Sequence, residues 1–216
     1  MNNPLSAMPP VTKNIIIINV IAYLASLALP RIGIDLLNLG GMHYFQAESF
    51  SFYQMITYMF LHSTPGFGHI FFNMFALFMF GGLLEQVWGG KRFLLYYLIT
   101  GIGAGIVQQV VWMLTTVPTL PPQYYDLLLT IGASGAVFGI LLAFGMMFPN
   151  MPLYIMFIPI PVKAKYAVIG YGVIELLAGI AGRAGDNVAH FAHLGGMLFG
   201  LILILAWRKT HSRRRM

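Results

Sequence analysis

Residues 188–207 read VAHFAHLGGMLFGLILILAW, twenty positions without Lys, Arg, Asp or Glu, closed at once by Arg208 and Lys209. An α-helix needs about 20 apolar residues to cross the hydrocarbon of a bilayer, so this stretch predicts a membrane span. Working outward, the same reading finds runs at 15–29, 70–87, 93–117, 131–148 and 166–181, which predicts six spans. The whole chain agrees with that solvent. Of its 216 residues 58% are hydrophobic and 8% charged, where a soluble domain carries roughly 25% charged residues to hold its surface in water. The mean hydropathy is +0.78. An ordinary soluble globule, a disordered chain and a nucleic-acid-binding module are thereby excluded, and no length remains for a sizeable aqueous domain. The expectation is an all-α membrane protein forming one domain over 1–216, with a core at about 14–207 and a basic tail at 208–216.

Two further apolar stretches do not read as spans. Residues 50–61 are short and aromatic, and 151–162 are broken by Pro152, Pro159 and Pro161, which cannot continue a helix. Both are expected as loops touching the membrane surface. The first run is read as a retained span and not as a secretory signal, because Pro30 and Arg31 follow it directly. The chain holds no cysteine, which removes disulfides, thiolate catalysis and cysteine-ligated metals.

The net charge of +6 acquires its meaning from position. With the amino terminus inside, Lys13, Lys91, Arg92, Lys163, Lys165, Arg208, Lys209, Arg213, Arg214 and Arg215 fall on the cytoplasmic side, and Arg31 and Arg183 outside. Basic residues mark the cytoplasmic face of membrane proteins, so both termini are expected there. The acidic Asp35, Glu48, Asp126 and Asp186 fall in the outer loops. The basic excess therefore reads as topology, and the Arg213–Arg215 tail needs no nucleic-acid partner.

In this orientation the second, fourth and sixth runs enter from outside. His69 and Asn73 lie at the start of the second, Ser134 at the start of the fourth, and His190 and His193 at the start of the sixth. At a rise of 1.5 Å per residue all can share one shallow layer. Polar groups at that depth are costly and by default functional. A hydroxyl beside an imidazole makes a nucleophile with its base, and His69 and Asn73, four residues apart on one helical face, could donate to a developing oxyanion. Gly135 with Gly139, and Gly196 with Gly200, form small-residue stripes that let two helices approach closely. Alone, each stripe is equally a packing surface, and each serine or histidine equally a helix-to-helix hydrogen-bonding residue.

Three motifs carry a family resemblance. Gly132-Ala133-Ser134-Gly135 resembles the GxSG motif of rhomboid intramembrane serine proteases, Ala192-His193 followed by Gly196 and Gly200 matches that family's AHxxGxxxG pattern, and His69 to Asn73 its HxxxN pair. Glu85 to Gly89, Arg92 and Phe93 are similar to its turn after the second span. The resemblance covers about residues 51–200. It implies a six-helix rhomboid-like bundle in which Ser134 attacks the scissile carbonyl, His193 takes and returns the proton, and the Ser134 amide with His69 and Asn73 holds the oxyanion. It further implies protein substrates with a transmembrane segment, cut near the outer face after local unwinding, with the outer aromatic loop and the fifth helix as candidate gates, and neither cofactor nor metal.

The family uses a serine and a histidine without a catalytic acid. Glu175, in the fifth run, is expected to lie too far away in depth to supply one, and His190 is read as lining a water path. The six residues between His62 and His69 form a longer interval than in many relatives, and the Trp-Arg pair of some first loops is absent from 36–61. A zinc protease would need HExxH, and no His-Glu pair occurs. An aspartyl protease would need two carboxylates in spans. The glycines of 101–105 lack a preceding strand and read as a packing surface beside Gln108 and Gln109. Two alternatives remain: a proton-coupled transporter using His69, His193 and Glu175, which lacks charged residues leading inward, and an inactive rhomboid-like binding protein, which would not need both Ser134 and His193. From the short termini, the expected location is a bacterial cytoplasmic membrane.

Overall fold

The computed structural model describes residues 8–154, 160–182 and 189–213. Arg183, Asp186, Val188, Arg214, Arg215 and Pro159, all used above, lie outside the described residues. Helix α1, Pro10–Ala28, starts on a proline, whose missing N–H costs nothing in a first turn, and leads into a 3₁₀ turn at Leu29–Ile32. Two of its polar side chains donate back along its own axis: Asn19 Nδ2 to the Ile15 carbonyl at 2.8 Å and the Ser26 hydroxyl to that of Ala22 at 2.9 Å. Short helices α2, Leu36–Gly40, and α3, Gln54–Thr57, belong to the loop that follows. The second long helix, α4, spans Gly68–Trp88 with a π-helical turn at Leu77–Gly81. One residue, Gly89, joins it to α5, Gly90–Val111. At φ 79° and ψ 154°, Gly89 occupies a region essentially closed to residues with a Cβ. Then come α6, Ser134–Met147, α7, Ala164–Ala181, and α8, His190–Arg213.

By length and composition, five helices among the described residues could cross a membrane: those over Pro10–Ile32, Gly68–Trp88, Gly90–Thr119, Ala164–Ala181 and His190–Lys209. They overlap the first, second, third, fifth and sixth runs. The fourth run differs. Helix α6 has 14 residues, about 21 Å at 1.5 Å each, and begins three residues later than the apolar run 131–148. Its burial explains the short length: Ala136, Ile140, Ala143 and Phe144 are all buried, and α6 packs chiefly on α8 and α5. Non-helical backbone at membrane depth is tolerated where protein surrounds it, so the chain can stay outside a regular helix up to Ser134.

Glycines set the spacing of this central trio. A Cβ on Gly196 of α8 would collide with the Gly135 carbonyl of α6, and one on Gly139 would come 3.1 Å from the Gly196 carbonyl oxygen. The expected close approach of these helices is present. Gly200 serves a different contact, lying against Tyr96 and Thr100 of α5. The glycines of 101–105 are packing positions, with Gly101 on Met59, Gly103 on Phe199, and Gly105 on Met42 and Tyr58.

The stretch 50–61 is not simply a surface loop. Phe52 is 86% exposed, but Tyr58, Met59 and Leu61 are buried in the bundle, and the Tyr58 hydroxyl donates to the Gly101 carbonyl at 2.7 Å. The first loop is anchored without a Trp-Arg pair. Strand β1, Met42–His43, runs antiparallel to β2, Leu129–Thr130. Gln109 Nε2 donates to the His43 carbonyl at 2.7 Å while its Oε1 accepts from the Phe45 amide at 3.0 Å. In the proline-rich stretch, β3, Pro152–Leu153, pairs with β4, Val162–Lys163.

At the opposite end Glu85, 3% exposed, fastens α4 to the start of α1. Its Oε1 accepts from the Val11 amide at 2.9 Å, and its Oε2 from the Thr12 amide and hydroxyl, both at 2.7 Å. Amides in a first helical turn have no carbonyl within their own helix, so this carboxylate supplies the missing acceptors. Nearby, the Arg92 guanidinium lies 4.0 Å from the centre of the Trp207 ring.

Candidate active site

Ser134 is the first residue of α6, where first-turn amides point out of the helix without partners and the helix dipole favours negative charge. The approach to it is tightly held. Strand β2 is fixed by β1, and the Gly132 amide donates to the Tyr58 carbonyl at 2.9 Å. Gly132 has φ +130°, and a Cβ there would come 2.9 Å from His69 Nε2 and 3.5 Å from Ser134 Oγ. Both side chains therefore converge on the space that glycine leaves open.

The structure brings Ser134 and His193 together across α6 and α8. His193 Nε2 lies 2.8 Å from Ser134 Oγ. Phe138, one turn after Ser134, stacks on the imidazole with ring centres 4.3 Å apart and planes 7° from parallel, which fixes the plane of that ring. His193 is 7% exposed. A hydroxyl, an imidazole and a ring that holds the imidazole form an arrangement from which a hydroxyl can be activated.

His69, at the start of α4, accepts a hydrogen bond at Nδ1 from the Ser63 amide at 3.3 Å. A neutral imidazole accepting at one nitrogen carries its proton on the other, so Nε2, beside Gly132, is the donor. Asn73 is buried one turn further along and gives one Nδ2 hydrogen to the His69 carbonyl at 2.9 Å, leaving its second amide hydrogen. His62 packs edge-on against His69 with ring centres 4.9 Å apart. Its ring nitrogens meet no hydrogen-bond partner among the described residues, and burial, helped by neighbouring His69, pushes its imidazole down to about 3.

The sequence expectation for Glu175 is corrected. Its Oε2 lies 2.8 Å from His193 Nδ1 and 2.7 Å from His190 Nδ1. His190 thus bonds to the carboxylate beside His193, a more specific place than the wall of a water path. Glu175 precedes the end of α7 by six residues and His193 follows the start of α8 by three, a depth difference of about 4–5 Å at 1.5 Å per residue, which a glutamate side chain spans. The missed signal was a carboxylate inside a span, which by itself points to function. Glu175, His190 and His193 place one ligand atom each within 4.8 Å of one another, and could also hold a metal ion.

A membrane-embedded helical protein with a partly buried serine–histidine contact is the class that fold and site define. Residues 49–210 match the family model of the rhomboid domain. The chain belongs to the rhomboid family and is an integral membrane protein. It is 32% identical over 206 residues to the chloroplastic Rhomboid-like protein 11 of Arabidopsis thaliana, covering 92% of this chain and 65% of that one. Rhomboid protein 1, mitochondrial, of Saccharomyces cerevisiae is 31% identical over 70% of this chain and 42% of its own length. Rhomboid protease AarA of Providencia stuartii is 28% identical over 69% of this chain and 53% of its own. The chain thus spans between two fifths and two thirds of these relatives.

Proposed function

We propose that this protein is a serine endopeptidase of the membrane, with Ser134 as nucleophile and His193 as base. The observation that carries the reading is the 2.8 Å contact between Ser134 Oγ and His193 Nε2, made between two helices that meet glycine on backbone. Ser134 Oγ attacks the scissile carbonyl carbon as its proton passes to Nε2. The oxyanion is met by the Ser134 amide and by Nε2–H of His69, with Asn73 beside it; donors placed where charge develops are commonly the largest catalytic contribution. The tetrahedral species expels the amine, which takes the proton back from His193, and water releases the acyl group by the same steps.

The substrates we propose are proteins with a transmembrane segment, cut near the outer face where the backbone unwinds. The accompanying topology has six spans, α6 being the fourth, in a single domain with both termini on the basic, cytoplasmic side. The reaction needs no cofactor or metal. On the sequence expectation alone, the setting we propose is a bacterial cytoplasmic membrane.

The test is cleavage of a single-span substrate in proteoliposomes. Wild type cleaves, and Ser134→Ala and His193→Ala lose about 10³-fold or more, as members of such a unit do. A fluorophosphonate labels wild type at Ser134. Cleavage surviving in well-folded Ser134→Ala overturns the reading.

A further inference from the structure

The contact between Glu175 and His193 has chemistry of its own. An ionised carboxylate only accepts hydrogen bonds. With Oε2 at 2.8 Å from His193 Nδ1, that nitrogen carries the proton, and a neutral ring then has its lone pair on Nε2, facing Ser134 Oγ. This is the tautomer a general base needs. Phe138 stacking fixes the ring plane but does not distinguish the two nitrogens, since the plane is unchanged when the ring turns over. The carboxylate makes that distinction. His190, one turn before His193 on α8, bonds to the same oxygen at 2.7 Å, so Oε2 is held from two sides of one helical face.

We propose that Glu175 is a positioning residue that fixes the tautomer of His193 and stabilises the imidazolium formed during attack, extending the serine–histidine pair to a three-member relay braced by His190. This rests on the reading of Ser134 and His193 given above. The carboxylate keeps its charge throughout. The proton moves only between Ser134 Oγ, Nε2 and the leaving amine. A carboxylate behind the imidazole acts most strongly where the surroundings exclude water, and both side chains are largely buried, Glu175 at 13% and His193 at 9% side-chain exposure.

The experiment compares wild type, Glu175→Gln, Glu175→Asp and Ser134→Ala in proteoliposomes with a single-span test substrate. Glu175→Gln is expected to lower kcat by up to about 10⁴-fold with KM unchanged, the loss that follows when a triad aspartate becomes an asparagine, and Glu175→Asp to restore part of it. In ¹⁵N-histidine-labelled protein, wild type and Ser134→Ala show a low-field Nδ1–H proton for His193, and Glu175→Gln loses it. Absence of that proton in wild type overturns the proposal even if the glutamine variant does not fold. So does a folded Glu175→Gln with wild-type kcat, or activity abolished by a chelator and restored by Zn²⁺, which would make Nδ1 a metal ligand. An inactive Ser134→Ala beside a fully active Glu175→Gln removes this inference alone, whereas an active Ser134→Ala removes the reading beneath it.

Discussion

His62 makes the stability of the fold depend on pH. Its imidazole is pushed down to about 3 from an ordinary 6.5, so between those values the unfolded chain binds a proton that the folded chain refuses. Stability therefore falls as pH drops below about 6.5 and is unaffected by this group above it. Thermal unfolding in detergent should show a falling midpoint from pH 7 to pH 4 in wild type and a flatter profile in His62→Phe; parallel profiles would contradict this. At this scale the candidate site was unevenly legible. Ser134, His193, His69 and Asn73 stand in short motifs, and because motifs record spacing along one helix, they were readable without coordinates. Glu175 belongs to no motif. Its partner lies 18 positions away on another helix, and only the packing of α7 on α8 and the reach of the side chain bring it to His193. The tautomer of His69 was equally illegible, since it depends on a backbone amide in the preceding loop.

Among the elements, α1 depends on a residue that is not its own. Glu85 accepts the Val11 and Thr12 amides, and replacing it by Ala leaves buried donors unmatched at about 1–3 kcal/mol. Glu85→Ala should lower the thermal unfolding midpoint measurably while fluorophosphonate labelling of Ser134 persists in the folded fraction; an unchanged midpoint would show that the cap is not stabilising. Apolar periodicity could find five long helices because a lipid-facing helix must be apolar for its full crossing. The same signal misjudged α6, whose run continues through 131–133 although the helix does not. Apolarity reports burial, and in a helix surrounded by other helices burial is not tied to helical backbone. The loop 50–61 misled for the same reason: aromatic residues suit an interface and a core equally well, and Met59 is fully buried.

For the molecule as a whole, the proposed orientation rests on the distribution of charge. The absence of native cysteine makes introduced thiols clean reporters. Phe52→Cys, on the exposed tip of the first loop, should react with a membrane-impermeant maleimide in intact cells, and Lys91→Cys, beside the Gly89 turn, only after permeabilisation. The opposite pattern would invert the topology. The central trio α5, α6 and α8 also separates two tasks within one bilayer. Gly135 and Gly196 meet one residue beyond Ser134 and three beyond His193, with no side chain between the two backbones. Their spacing is set by atomic radii, as in a closed caliper. Helices at the periphery can tilt to suit a thicker or thinner membrane, and the gauge between Ser134 and His193 keeps its setting.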